Sequence, residues 1–191
     1  MLAERFLLEN VPWSAYVAFR DALDDVSGVR MTYRDGALEL MSPSGLHEEA
    51  KGLLARLLET WAVERGVDLR AFGSKTLRRE AKKRGLEPDE CYKLGHLDDE
   101  SAPDIAIEVV VTKPLVDKLD VYVGLGVREV WVWRPGTKMI AVHQLAGAGY
   151  EVATKSAVLP DLDLAELATY VRPGENHTAA IRAYMAAIRA R

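Results

Sequence analysis

The chain has 191 residues, 49% of them apolar, and a formal net charge of −4. That size suits one packed domain burying about 70% of its unfolded surface, and the acidic balance argues against coating nucleic acid by bulk charge. No apolar run approaches the ~20 residues of a membrane span, and the start, "MLAERFLLENVPW", carries acids and no long apolar core, so it does not read as a signal peptide.

In chain order, "PWSAYVAFRDALDDVSG" opens on Pro12 and closes on Gly28, the punctuation of a helix. Asp35-Gly36 lies between two alternating runs and signals a hairpin. "SPSGLHEEAKGLLARLLETWAVERG" predicts a long amphipathic helix stopped by Gly66. "VDLRAFGSKTLRRE" and "LEPDECYKL" read as two strands around a basic turn, and the β-branched "DIAIEVVV" as a third. "KPLVDKLDVYVGLG" reads as a helix with proline in its first turn. A second hairpin turns at Pro135-Gly136, a short strand follows, and a last helix is capped near Asn176. Helices and strands in this order predict an α/β fold with a central mixed sheet flanked by helices. No linker marks a second domain, so residues 1–191 read as one unit: a helix and hairpin over 11–41, a core over 44–146 and an extension over 147–191. The single cysteine, Cys91, can form no internal disulfide, which fits a reducing cytoplasm.

Charges occur where the pattern wants to be dry. Alternation puts Asp104, Ala106, Glu108 and Val110 on one face of the third strand, and Ile105, Ile107, Val109 and Val111 on the other. A carboxylate at Glu108 is costly there unless paired or bound to metal. Asp104 stands roughly 13 Å along the strand, too far to share an ion with it easily. Asp89, in "LEPDECY", can face Glu108 from an adjacent strand, about 5 Å apart at Cβ, the scale of a shared divalent cation. On a helical wheel started at Leu115, Lys118 falls inside the apolar arc, either as a snorkelling lysine or as a cation held near Glu108. On the long helix, His47 falls within the buried arc with Leu46, and Glu49 on its edge. The ordinary readings are a hydrogen-bonded core histidine and a first-turn acid favouring the helix dipole. "SKTLRREAKKRG" holds Lys75, Arg78, Arg79, Lys82 and Lys83, a solvated turn or a set of phosphate contacts.

"GLEPDECYKLG", "APDIAIEVVVTKPLVDKLDVYVGLGVREVWVWRPG" and "SAVLPDLDLAELATYV" together resemble the Uma-two-type restriction endonucleases of the PD-(D/E)XK nuclease superfamily, from about Pro12 to Val171. The resemblance implies a restriction-endonuclease-like core and a Mg²⁺- or Mn²⁺-dependent endonuclease acting on DNA. Asp89 matches the first acid of that motif and Glu108 the second. Its lysine is expected at position 110, where this chain has Val110, and Lys118 matches a lysine displaced onto the next helix. Glu49 or His47 matches the first-helix acid region. Asp89, Glu108 and the backbone carbonyl of Val109 are then the expected metal ligands, and cutting both strands of a duplex favours a homodimer. The superfamily also includes members without catalysis, so the alternative is a degenerate nuclease fold that binds nucleic acid or protein. A metabolic α/β enzyme has little support: there is no G-K-[ST] phosphate loop, no G-x-S-x-G elbow and no zinc spacing among the four histidines.

Overall fold

The computed structural model describes residues 4–23, 26, 28–95 and 102–191. Two sheets share one helix between them. Strands β1 (Glu4–Leu8), β2 (Arg30–Arg34) and β3 (Ala37–Ser42) join the short β5 (Leu77–Arg79) and β6 (Arg84–Leu86) in an antiparallel sheet of order β1-β3-β2-β6-β5. The remaining strands are β4 (Leu69–Ala71), β7 (Glu90–Leu94), β8 (Ile105–Val109), β9 (Glu129–Arg134), β10 (Met139–Ala146) and β11 (Gly149–Ala153). They form a mixed sheet of order β11-β10-β9-β8-β7-β4, parallel only between β8 and β9.

Helix α1 (Trp13–Ala22) lies on the antiparallel sheet, where Tyr16 stacks on Tyr33 with ring centroids 4.8 Å apart. The Tyr16 ring lies directly over Gly85, in the space a β-carbon would need. The antiparallel hairpin turns at Asp35 and Gly36, both at positive φ, the geometry that makes Asp-Gly the preferred pair. The α1 reading to Gly28 is too long: the helix ends at Ala22, and residues 24, 25 and 27 lie outside the described set.

The long helix α2 (Gly45–Arg65) begins at Ser44, whose hydroxyl accepts from the His47 amide, and ends at left-handed Gly66. Its apolar stripe, including Leu53, Leu54, Leu57 and Trp61, is buried against Ile105, Ile107 and Val109 of β8 and Trp131 and Trp133 of β9. Each such side chain contributes about 1.5–3 kcal/mol by leaving water. Leu46, placed in that stripe by periodicity, is exposed. Helix α5 (His177–Arg189), capped by Asn176 as expected, packs on the outside of α2, and α4 (Leu164–Thr169) precedes it. Helix α3 (Lys118–Leu125) fills the gap between the sheets, with Val121, Tyr122 and Leu125 buried among Ala106, Val130 and Leu86. The two faces of β8 divide as alternation predicts: Ile105, Ile107 and Val109 toward α2, and Ala106 toward α3.

Three expectations need correction. The stretches 67–80 and 86–94 are not two long strands. Residues 67–94 hold β4, β5, a 3-10 turn (Glu80–Lys82), β6 and β7, shared between the two sheets. Strand β1 was not foreseen, since its residues show no clean alternation; it pairs along β3. Helix α3 begins at Lys118 rather than in the Pro114 turn, because Asp117 caps it by accepting from the Leu119 amide.

Candidate active site

The register Glu90↔Ile107 and Cys91↔Ala106 between antiparallel β7 and β8 sets Asp89, one step before β7, opposite Glu108. Both carboxylates are buried, Asp89 at 1% and Glu108 at 3% exposure. Lys118 Nζ donates to Glu108 Oε2 at 2.6 Å, and the Tyr122 hydroxyl donates to Glu108 Oε1 at 2.5 Å. Lysine and tyrosine stand one helical turn apart on α3, so one face of that helix supplies both partners.

Asp89 is held from the other side of the sheet. Its Oδ2 accepts from His47 Nε2 at 2.9 Å and from the Val109 amide at 2.7 Å. His47 is 3% exposed, and its Nδ1 lies 3.3 Å from Glu48 Oε1. The other Asp89 oxygen, Oδ1, is buried with no hydrogen-bond partner in the protein. A buried carboxylate oxygen without a donor is a costly arrangement.

The charges follow from these contacts. Burial pushes the Asp89 carboxyl up, but the His47 bond, the Lys118 charge and the Val109 amide outweigh it and hold the group below the ordinary range. Burial likewise opposes charge on Lys118, yet Glu108 and Asp89 win and raise its pKa, so the ammonium is kept at neutral pH. Burial raises the Glu108 carboxyl, and the Asp89 charge adds to that, against the pull of Lys118 and Tyr122. Burial opposes the imidazolium of His47 as well, and Asp89 and Glu48 together raise its pKa.

The loop before Lys118 is held by another buried acid, Glu39 of β3. Its Oε2 accepts from the amides of Leu115 at 3.0 Å and Val116 at 2.9 Å, and its Oε1 is paired with Arg5 of β1. Arg5 also donates to the Thr112 hydroxyl at 2.9 Å and the Thr112 carbonyl at 3.2 Å. Arg5 and Glu39 thereby clamp both ends of the loop that joins Glu108 to Lys118.

The structure thus brings together Asp89, Glu108, Lys118 and His47. It does not bring Glu49, whose Oε2 accepts from the Gly174 amide at 2.7 Å on the outer surface. At 100° per residue the side chain one turn-edge beyond His47 points away from the sheet. Val109 contributes its amide to Asp89, and Val110 lines the cleft beside Glu108. Asp104 is spent at the far end of β8, accepting from the Leu94 amide and Arg128. The basic segment is largely engaged with its own protein: Arg78 pairs with Asp21, Arg79 donates to the Gly124 carbonyl, and Lys75 lies over the Phe72 ring. Lys82 and Lys83 are exposed at the turn. Tyr122, Glu39 and Arg5 escaped sequence reading. Only a polar residue on a buried face hinted at them, and the partners are distant in sequence.

One end of the mixed sheet thus carries two buried carboxylates, one of them bonded to the part-buried Lys118 ammonium. The chain belongs to the Uma2 family, described as "Putative restriction endonuclease", whose model matches residues 14–171. Among solved structures it is similar to one described as a "putative nuclease belonging to DUF820" from Anabaena variabilis ATCC 29413, at 15% identity and a TM-score of 0.46, over 81% of this chain and 90% of that chain. No curated protein matches. No helix among the described residues is long and apolar enough to cross a membrane.

Proposed function

We propose that the protein is a divalent-metal-dependent endonuclease that hydrolyses phosphodiester bonds in DNA at Asp89, Glu108 and Lys118. The observation that supports this reading best is the buried Asp89 Oδ1 without a partner, on a carboxylate facing Glu108 across adjoining strands.

Mg²⁺ or Mn²⁺ is the group the family implies, and the donor set fits a hard cation: two carboxylates, one with a vacant oxygen. Asp89, Glu108 and the Val109 carbonyl would hold it. Among the described residues no cluster of three or more His, Cys, Asp or Glu side chains is set to do so, which leaves these two acids and a main-chain oxygen. Such an ion supplies Lewis acidity and a more acidic bound water. The protein's own groups do the rest. Lys118, kept protonated by the two acids, stabilises negative charge building on the phosphate and orients the attacking water. His47 and the Val109 amide fix the Asp89 carboxylate so that its other oxygen points one way. The Tyr122 hydroxyl does the same for Glu108. Cutting both strands of a duplex favours a homodimer.

Plasmid cleavage with Mg²⁺ or Mn²⁺ by the wild type and by Asp89→Ala, Glu108→Ala and Lys118→Ala tests the reading. Loss of cutting in all three variants is expected. Equal activity in all four proteins would overturn it.

A second reading, a catalytically silent nuclease fold that binds nucleic acid or a partner protein, is favoured by one observation: both Glu108 oxygens are already occupied by Lys118 and Tyr122. A Mn²⁺ titration followed by thermal unfolding separates the two. An intact site gains stability with the cation; a silent one does not.

A further inference from the structure

The face of the mixed sheet that α3 leaves uncovered opens beside Glu108 and Lys118 into a cleft of about 470 Å³. Its floor is apolar, formed by Val110, Val130 and Val132. Three basic side chains reach it from different elements. Lys113 stands in the loop after β8. Arg134 ends β9 on the same face as Val130 and Val132. His143 sits on β10 opposite Val130.

We propose that this cleft is a phosphodiester subsite, taking the nucleic-acid backbone next to the phosphate acted on at Glu108 and Lys118. Lys113 and Arg134 supply the charge and His143 a hydrogen bond. The inference rests on the nuclease reading and names how its substrate is gripped.

The charge on this cleft is available to a ligand. Among the described residues neither Lys113 nor Arg134 has a carboxylate partner, and both are exposed. The acids on the cleft are already used: Glu108 by Lys118 and Tyr122, and Asp117 by the Leu119 amide it caps. The richer basic segment is instead drawn into the protein's own acids, through Arg78 to Asp21 and Arg84 to Asp35 and Asp120. In a chain of net charge −4, two uncommitted cations beside the buried ammonium set a local field that the whole molecule lacks. The guanidinium of Arg134 offers the planar fork that matches phosphate oxygens.

Fluorescence anisotropy with a labelled duplex and its single strand, in EDTA so that no turnover occurs, tests the subsite. Lys113→Ala/Arg134→Ala is expected to weaken binding by about tenfold or more and to flatten the log–log salt slope by about 2. Lys82→Ala/Lys83→Ala should stay within about twofold, because exposed cations away from the track add little. The substrate arm that shows the shift identifies a paired or an unpaired backbone. Both side chains are on the surface, and an unchanged melting temperature checks that the variants fold. Unchanged affinity and slope in Lys113→Ala/Arg134→Ala, or an equal loss in Lys82→Ala/Lys83→Ala, would overturn the subsite. The two readings fail separately. A wild type that binds through the cleft but never cuts removes the nuclease and keeps the subsite; one that cuts while Lys113→Ala/Arg134→Ala binds normally does the reverse.

Discussion

His47 and Asp89, 42 positions apart in the chain, meet at 2.9 Å between Nε2 and Oδ2. The long helix and the mixed sheet are joined at this point by a buried charge-assisted hydrogen bond, at the same carboxylate whose second oxygen is vacant. Substituting His47 by alanine leaves Asp89 with the Val109 amide alone. Stability is expected to fall by about 1–3 kcal/mol in urea unfolding, and metal-dependent cutting to fall with it. His47→Gln, which can still donate, should recover part of both. If alanine and glutamine behave alike, the bond does not orient Asp89.

The Lys118–Glu108 pair carries a larger penalty when one partner is removed. Lys118→Met leaves Glu108 buried with only Tyr122, and unfolding should show a loss of about 3–5 kcal/mol. Glu108→Gln/Lys118→Met removes both charges and should be markedly more stable than Lys118→Met, while remaining inactive. A double variant no more stable than the single one would mean that the pair is not coupled.

Glu39 holds the loop that leads into Lys118 through the Leu115 and Val116 amides. Glu39→Ala frees the Leu115 and Val116 amides and leaves Arg5 without its acid. A loss of about 3–5 kcal/mol is expected, and Glu39→Gln, which keeps an acceptor, should lose less. A merely structural role would leave kcat of the folded fraction unchanged; a positioning role lowers kcat with little change in KM.

His143 gives a prediction for the pH dependence of stability. Burial, helped by Arg134, lowers its pKa from the ordinary 6.5. As pH falls through the window just below that value the unfolded chain takes up the proton first, so the fold loses stability and regains it as pH rises. Above the ordinary value the imidazole is neutral in both states and contributes nothing. Melting temperatures between about pH 5 and 7 should rise less steeply in His143→Gln than in the wild type. An identical slope would count against the depressed pKa.

Cys91 is fully buried, and burial pushes its thiol up to about 12. The native protein should therefore not react with an aromatic disulfide reagent at neutral pH, and one thiol should appear on unfolding in guanidinium. Prompt reaction of the folded protein would show that β7 opens.

Residue spacing alone determined the local order and the faces. A strand needs only its own alternation to separate Glu108 from Ile107, and a helix needs only its cap and stop residues to run from Ser44 to Gly66. Asp89 opposite Glu108 was legible for the same reason, since adjacent strands impose a short cross-strand distance. The inward aim of Lys118 was reached by a wheel begun at Leu115, which is not in the helix at all and is exposed. What turns the lysine inward is Asp117, which starts the helix there, and Glu39, which holds the preceding loop from another sheet. The splitting of the basic stretch between two sheets and the meeting of His47 with Asp89 likewise belonged to the tertiary structure. Each depends on which distant group arrives to satisfy a polar atom once water has gone, and that choice is made by packing, not by periodicity.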